Sequence, residues 1–332
     1  MKIGNIELGD FPLLLAPMED VSDPPFRSVC KENGADLMFT EFISSEGLIR
    51  NAEKSTQKLD IYDSERPIGI QIFGDKIESM KKAASISEAA NPEIIDINYG
   101  CPVKKVACKG AGAGILLDIN KMQKMTSEIV KQVKKPVTVK TRLGWDDNSI
   151  KIVEVAERLQ DVGIQALTIH GRTRKQMYKG EANWEYIAEV KNNPRINIPI
   201  FGNGDINSPE KAKKYKNKYG VDGIMIGRSA IGNPWIFNEI KTYIKENKHI
   251  KKPSLNDRIE TVKKHLDFSI KWKGERLGLI EMRRHYTNYF RGMDNFKKHR
   301  MKLILSTSKN FTLETLHEIS NLYSNNKELA EL

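Results

Sequence analysis

The chain has 332 residues, 39% hydrophobic and 29% charged, which is enough for one large core, or a core plus an accessory domain, and excludes intrinsic disorder. Its net charge of +11 is uneven: residues 1–240 hold 34 Lys and Arg against 32 Asp and Glu, whereas residues 241–332 hold 20 against 11. Cys30, Cys101 and Cys108 form neither a disulfide framework nor a CxxC zinc pair, and no apolar run is long enough to span a bilayer, so a cytoplasmic protein with no structural metal and no membrane attachment is expected.

Eight short apolar runs read as strands, at 13–16, 37–40, 68–73, 94–97, 137–140, 166–169, 198–201 and 223–226. Helical periodicity lies between most of them, at 77–90, 121–133, 150–162 and 209–219, and 44–51 fits a short helix. Eight alternations in this length predict an α/β fold, a (β/α)8 TIM barrel, which usually takes about 250 residues. The alternative is an open doubly wound sheet; no Gly-x-Gly-x-x-Gly follows the first strand, which counts against it.

Beyond residue 243 the strand-like runs stop. A polar linker at 245–254 leads into helical segments at 255–273, 280–291, 297–306 and 313–321. The expected division is a catalytic barrel at 1–244 and a small all-α, basic domain at 251–332. The domain's charge suits a polyanion, or equally a solvated helical face.

In a barrel the chemistry sits at the C-terminal ends of the strands. The first run ends in Ala16-Pro17-Met18, an apolar wall for a planar ring, and the third carries Gln71. The fourth continues through Asn98-Tyr99-Gly100-Cys101-Pro102, placing a thiol on a turn above the barrel mouth, where a structural cysteine is unusual. The glycine-rich stretch 110–114 reads as a mobile loop. The fifth run ends in Lys140 with Arg142 beyond it, and the sixth in His170-Gly171-Arg172, so a Lys and a His converge as donors over one pocket; for His170 alone a satisfied core position is as good a reading. Asn203-Gly204-Asp205 and Gly227-Arg228 end the last two runs, where such barrels hold phosphate. A phosphate-tailed planar cofactor flanked by a thiol describes a flavin mononucleotide (FMN) site.

These segments, together with Ser22-Asp23-Pro24-Pro25-Phe26-Arg27, Gln71-Ile72-Phe73-Gly74 and Val139-Lys140-Thr141-Arg142-Leu143-Gly144-Trp145, resemble the tRNA-dihydrouridine synthase family over residues 10–240. Lys104-Lys105-Val106 and Arg283-Arg284-His285 most resemble its bacterial B-type members. The resemblance implies reduction of the uracil C5=C6 bond in tRNA, with FMN as cofactor and NADPH or NADH as electron donor. It makes Cys101 the acid that protonates C5, and Asn98, Arg142 and Arg172 substrate contacts. Pro17, Met18, Gln71, Lys140, His170, Asn203, Gly204, Asp205, Gly227 and Arg228 would hold the flavin and its phosphate. The basic tail would bind tRNA phosphates, with Arg283, Arg284 and Arg291 on one helix face beside Tyr286 and Tyr289; a solvated face over core tyrosines reads almost as well. No obligate protein partner is implied. Where the family often has Ala-Gly after Ala-Pro-Met, this chain has Glu19-Asp20. Two other readings are an FMN-dependent dihydropyrimidine or dihydroorotate dehydrogenase, which has no use for a basic tail, and a non-catalytic RNA-binding protein, which has none for Cys101 and the phosphate loops.

Overall fold

Successive residues of a strand face opposite sides of a sheet, and in this chain that alternation sorts the barrel into layers. The computed structural model describes residues 1–324, so positions 325–332 of the expected tail domain lie outside the described residues. The barrel strands are β1 (Leu13–Leu15), β2 (Met38–Phe39), β3 (Ile68–Phe73), β4 (Ile94–Tyr99), β5 (Val137–Arg142), β6 (Ala166–His170), β7 (Ile200–Asn203) and β8 (Gly223–Ile226). All pair in parallel, in the order β1-β8-β7-β6-β5-β4-β3-β2, and a parallel bridge between Leu14 and Leu37 brings β2 back to β1. The nearly closed barrel is the predicted fold. β4 and β5 run two residues further than expected, and β7 is displaced by two toward Asn203.

One set of alternate residues, including Ile70, Ile72, Ile95, Ile97, Val139 and Ile169, faces outward into the layer of helices. The other set faces the barrel axis and changes character along it. At the N-terminal end Leu14, Leu37, Phe39, Ile94, Phe201 and Met225 pack together, plugged from below by Ile3 of a small antiparallel hairpin. Toward the C-terminal end the same inward positions become Gln71, Asp96, Asn98, Thr138, His170 and Asn203, all buried. An apolar base thus carries a polar floor.

The surrounding helices are α1 (Pro24–Glu32), α2 (Ser45–Ile49), α3 (Ile77–Ala89), α4 (Ile119–Gln132), α5 (Ile152–Asp161), α6 (Glu185–Lys191), α7 (Pro209–Tyr219) and α8 (Ile236–Glu246). α1, α6 and α8 are additions to the predicted set. α1 starts where the Asp23 carboxylate accepts from the Phe26 N–H, and Pro24-Pro25 occupies the first turn, which has no need of donors.

The tail contributes α9 (Leu255–Lys273), α10 (Glu275–Tyr289), α11 (Lys297–Leu305) and α12 (Lys309–Ser324). α10 begins five residues before the predicted start: Gly278, which interrupts the apolar pattern, lets α9 pass so close that a Cβ there would meet the Ile270 backbone at 2.7 Å. These helices share their own core around Val262, Leu266, Met282, Tyr286 and Leu316. They dock on α1, where the Phe26 ring meets His285 at 4.9 Å and His265 at 5.9 Å, and Trp235 meets Tyr289 at 5.9 Å. Burial pushes the His265 imidazole down to about 3, so it sits there neutral, sharing a 3.0 Å hydrogen bond with the Tyr289 hydroxyl. Among the described residues no helix is long and apolar enough to cross a membrane.

Arg27 fastens the first strand-to-helix loop from within. Its guanidinium donates to Glu65 at 3.0 and 3.2 Å and to the Ser22 carbonyl at 2.7 Å, out of solvent, and to the Asp60 carbonyl at 2.8 Å nearer the surface. Removing one member of a buried pair strands the other charge, so Arg27→Met is expected to lower urea-unfolding stability by about 3–5 kcal/mol. Arg27→Met combined with Glu65→Leu recovers a large part of the loss; an equal loss in the double variant would assign the cost to the freed carbonyls.

Candidate active site

The polar floor opens into a cleft of about 890 Å³ above the strand ends. Every site residue expected at the barrel's strand ends lines it except Gln71. Gln71 lies fully buried beneath, donating to Asp96 Oδ2 at 2.6 Å and accepting from Asn98 Nδ2 at 2.8 Å. Thr138 donates to the other Asp96 oxygen at 2.5 Å. Burial raises the Asp96 carboxyl to about 6, with these donors and the Lys140 charge pulling the other way, so at neutral pH it is mostly the anion beneath Lys140.

Asn98 spends most of its carboxamide on the protein. Its Oδ1 accepts the N–H groups of Gly100 at 2.9 Å and Cys101 at 2.8 Å, which pins the cysteine turn to the end of β4. The turn is held from the other side as well, because Ala113 N–H donates to the Cys101 carbonyl at 3.0 Å. Residues 111–116 are buried and Gly112–Leu117 form a short 3-10 helix against this turn, so most of the stretch expected to be a mobile loop is packed; its small residues serve close approach to Cys101. Burial raises the Cys101 thiol, outweighing the Val103 N–H and the Arg142 and Lys140 charges, which favour thiolate. It is therefore a protonated acid at neutral pH.

Positive charge gathers around the thiol. Among the described residues the Lys140 ammonium meets no hydrogen-bond acceptor, and burial with neighbouring Arg142 lowers it to about 8. Burial and the charges of Arg142, Lys140, Arg172 and Arg228 push His170 well below its ordinary range, leaving a neutral imidazole. The two expected substrate arginines are committed to the fold. Arg142 donates to the carbonyls of Gly100 at 2.7 Å, Met177 at 2.9 Å and Thr173 at 3.0 Å. Arg172 donates to the Gly180 carbonyl at 2.6 Å and to Asp205 at 2.7 Å. Both still border the cleft, where they shape its loops and its potential.

The phosphate-type end is built differently. Gly204 has φ +124°, and a Cβ there would meet Ala182 at 2.6 Å and His170 at 3.1 Å, so only glycine carries the chain past β7. The Asp205 carboxylate accepts from Ala182 N–H and Arg172; these outweigh burial and hold it below the usual range. Its backbone turns left-handed, φ +58°. The N–H groups of Gly204, Asp205, Gly227 and Arg228 meet no protein acceptor among the described residues. Arg228 is exposed and only loosely paired, 3.6 Å from Asp205. Such a set of free donors beside a guanidinium has the chemistry to hold an anion. On the opposite wall Pro17 and Met18 present the apolar surface, with Glu19 beyond them. Glu19, Asp20 and Glu41 bring their carboxylates within 4.8 Å of one another, and Lys58 bonds Glu19 at 2.5 Å.

The cleft has walls that no spacing argument found. Tyr178 projects from the loop after β6 with its ring 4.7 Å from the Arg228 guanidinium and 5.7 Å from that of Arg142. Asn288 and Arg291 reach the cleft from the tail domain. The expected arginine face on the tail divides: Arg284 is paired with Glu281 at 2.7 Å, the Arg283 Nε is buried without a partner, and Tyr286 and Tyr289 are core residues, so Arg291 alone of the three meets the cleft.

A sequence model described as dihydrouridine synthase matches residues 14–324. The chain is 40% identical to a probable tRNA-dihydrouridine synthase of Rickettsia prowazekii (strain Madrid E) over 88% of this chain and 89% of that one. It is 41% identical to tRNA-dihydrouridine synthase B of Pseudomonas aeruginosa over 82% of each. Among solved structures, a 2-naphthoyl-CoA reductase superposes with TM-score 0.57 at 12% identity, over 73% of this chain and 51% of that one. The histamine dehydrogenase of Rhizobium sp. 4-9 superposes with TM-score 0.55 at 12% identity, over 79% and 50%. The chain spans about half the length of these two, which share its barrel fold.

Thiol reactivity follows thiolate fraction and access. At pH 7 iodoacetamide is expected to label exposed Cys108 first, with buried Cys101 and Cys30 at least about tenfold slower by peptide mapping. Lys140→Met slows Cys101 further, since it removes a charge that favours thiolate. Equal labelling of Cys101 and Cys108 at pH 7 would contradict the protonated, enclosed thiol.

Proposed function

We propose that this chain, which belongs to the dihydrouridine synthase family, reduces the C5=C6 bond of uridines in tRNA, with FMN as resident cofactor and NADPH or NADH as electron donor. The observation that carries this reading is one cleft holding a protonated thiol at one end and an unpaired anion-binding nest at the other. FMN fits the residues present. Free N–H groups at Gly204, Asp205, Gly227 and Arg228, with the Arg228 guanidinium, suit its phosphate, and Asn203 underlies them by donating to the Met225 carbonyl at 2.8 Å. Pro17 and Met18 suit a ring face, while Lys140 and the neutral His170 offer hydrogen bonds to ring heteroatoms; Gln71 acts from beneath, through Asp96 and Asn98. When bound, FMN supplies the hydride that C6 receives.

The protein's own part is a proton and a held geometry. Hydride arrival at C6 leaves negative charge on C5 and its carbonyl, and a proton from the Cys101 Sγ at C5 completes the saturated ring. Asn98, Arg142 and the Gly112–Leu117 3-10 helix hold the turn so that the thiol keeps one position. Lys140 and Arg142 stabilise the thiolate left behind, which is the charge the buried site otherwise disfavours. A uridine within folded tRNA reaches such a cleft only if it is turned out of its stack, at a cost of about a few kcal/mol. Phosphate contacts from the basic tail offset that cost. A small-molecule dehydrogenase needs no such contacts, and the tail residues in the cleft wall favour the polymeric substrate.

Purified protein is expected to carry stoichiometric FMN, and Arg228→Ala to lose it; a colourless wild type that cannot be reconstituted would overturn the cofactor assignment. Cys101→Ala should keep its flavin and the reduction of that flavin by NADPH, yet form dihydrouridine in unmodified tRNA at least about 100-fold more slowly. With a raised thiol, kcat stays level through neutral pH and falls in alkali as the acid deprotonates. Wild-type rates in Cys101→Ala would hand the proton step to another group.

A further inference from the structure

We infer that Arg291, with Asn288, holds the RNA phosphodiester flanking the target uridine at the cleft rim, an inference that rests on the tRNA reading above. Some of the tail's cations are neutralised by the tail's own acids, Lys273 and Arg284 by Glu281, Lys302 by Glu318 and Lys309 by Asp267, and those that among the described residues have no such partner, Lys271, Lys297 and Arg300 among them, do not line the cleft. Arg291 differs on both counts that matter. Among the described residues no carboxylate lies within 4 Å of its guanidinium, and it forms part of the wall of the catalytic cleft.

Its place is built. α10 ends at Tyr289, and Arg291 N–H turns back to the Asn288 carbonyl at 3.2 Å. The Arg291 carbonyl accepts from Arg258 Nη1 at 3.2 Å, and Arg258 also donates from Nε to the Pro253 carbonyl of the linker at 3.2 Å. The barrel side is locked to the same spot by Gly232, at φ +62°. A Cβ there would fall 2.6 Å from the His285 carbonyl and 2.7 Å from the Asn288 Cβ, so the loop that carries Arg228 lies directly on the last turn of α10. Arg228 and Arg291 therefore belong to one rigid rim. With Arg228 at the nest that suits the cofactor phosphate, the anion left for Arg291 lies farther out, on a ligand large enough to reach both the thiol and the tail. A polynucleotide carries a phosphate at every nucleotide on either side of the base, and Asn288 adds a neutral donor in the same stretch of cleft wall.

The test uses flavin-loaded, full-length protein and an unmodified tRNA transcript, comparing wild type, Arg291→Ala, Arg291→Lys and, as a paired tail cation, Arg284→Ala. For Arg291→Ala the KM for tRNA is expected to rise about tenfold, well beyond any change in kcat, and the slope of log Kd against log salt to flatten by about 0.7–0.9. Arg291→Lys restores the slope, Arg284→Ala leaves it in place, and flavin occupancy stays at the wild-type level throughout. An unchanged KM and slope in Arg291→Ala overturns the inference, and so does loss of flavin, which would make Arg291 a cofactor contact. A wild type that binds tRNA without forming dihydrouridine overturns the functional reading instead, and the salt slopes still decide whether Arg291 meets RNA.

Discussion

The cleft is organised by the difficulty of crowding cations at the mouth of a barrel. Lys140, Arg142, Arg172 and Arg228 converge there, against the carboxylates of Asp96 and Asp205. A buried guanidinium needs acceptors, and those come from backbone carbonyls at Gly100, Thr173, Met177, Lys179 and Gly180. The loops after β4 and β6 are therefore shaped by the need to solvate Arg142 and Arg172. Burial first, and the same field with it, strips the charge from His170 and weakens the hold of Lys140 on its proton. An anionic ligand would relieve the imbalance, and the N–H groups at the ends of β7 and β8 that meet no acceptor among the described residues would suit its charge.

That arrangement depends in turn on the change of layer inside the barrel. Leu14, Phe39, Phe201 and Met225 fill the base so completely that the polar set above them sits on a rigid support. Gln71, Asp96, Thr138 and Asn98 then form one chain of hydrogen bonds, ending at the N–H groups of Gly100 and Cys101. The thiol's position is thus carried down to the floor through four side chains. A loop cysteine fixed in this way stays protonated because the packing that holds it also keeps water from its thiolate.

The tail shows net charge and contact geometry parting company. Its excess of Lys and Arg is a property of the whole segment, yet its docking on the barrel is apolar and aromatic, through Phe26, Trp235, His265, His285 and Tyr289. Neutral histidines are tolerated there because burial keeps the proton off them. Docking by packing leaves the remaining cations free to face outward, and one of them, Arg291, toward the cleft.

Much of this was legible along the chain. Inward and outward residues follow from period-two alternation, so all eight strands are located within two residues at either end, and the strand-end rule alone gathers Cys101, Lys140, His170 and Gly204 at one cleft. What escaped was whatever depends on contacts remote in sequence. α1 hid behind Pro24-Pro25, whose signal is ambiguous until the Asp23 cap is seen, and α10 began early because Gly278 serves a helix crossing. Residues 111–116 looked free because glycine and alanine score as loop, when their small size is what packing against Cys101 requires. The carbonyls that Arg142 and Arg172 bond were equally hidden, because residue type reveals a charge but not which backbone groups will accept from it. Local periodicity sets the elements and their inward faces over a few residues at a time. The partners of each charge, and the entry of Asn288 and Arg291 into a cleft built from another part of the chain, are settled by how the tail packs on α1 and on the loop at Gly232, a distance in sequence that no local pattern spans.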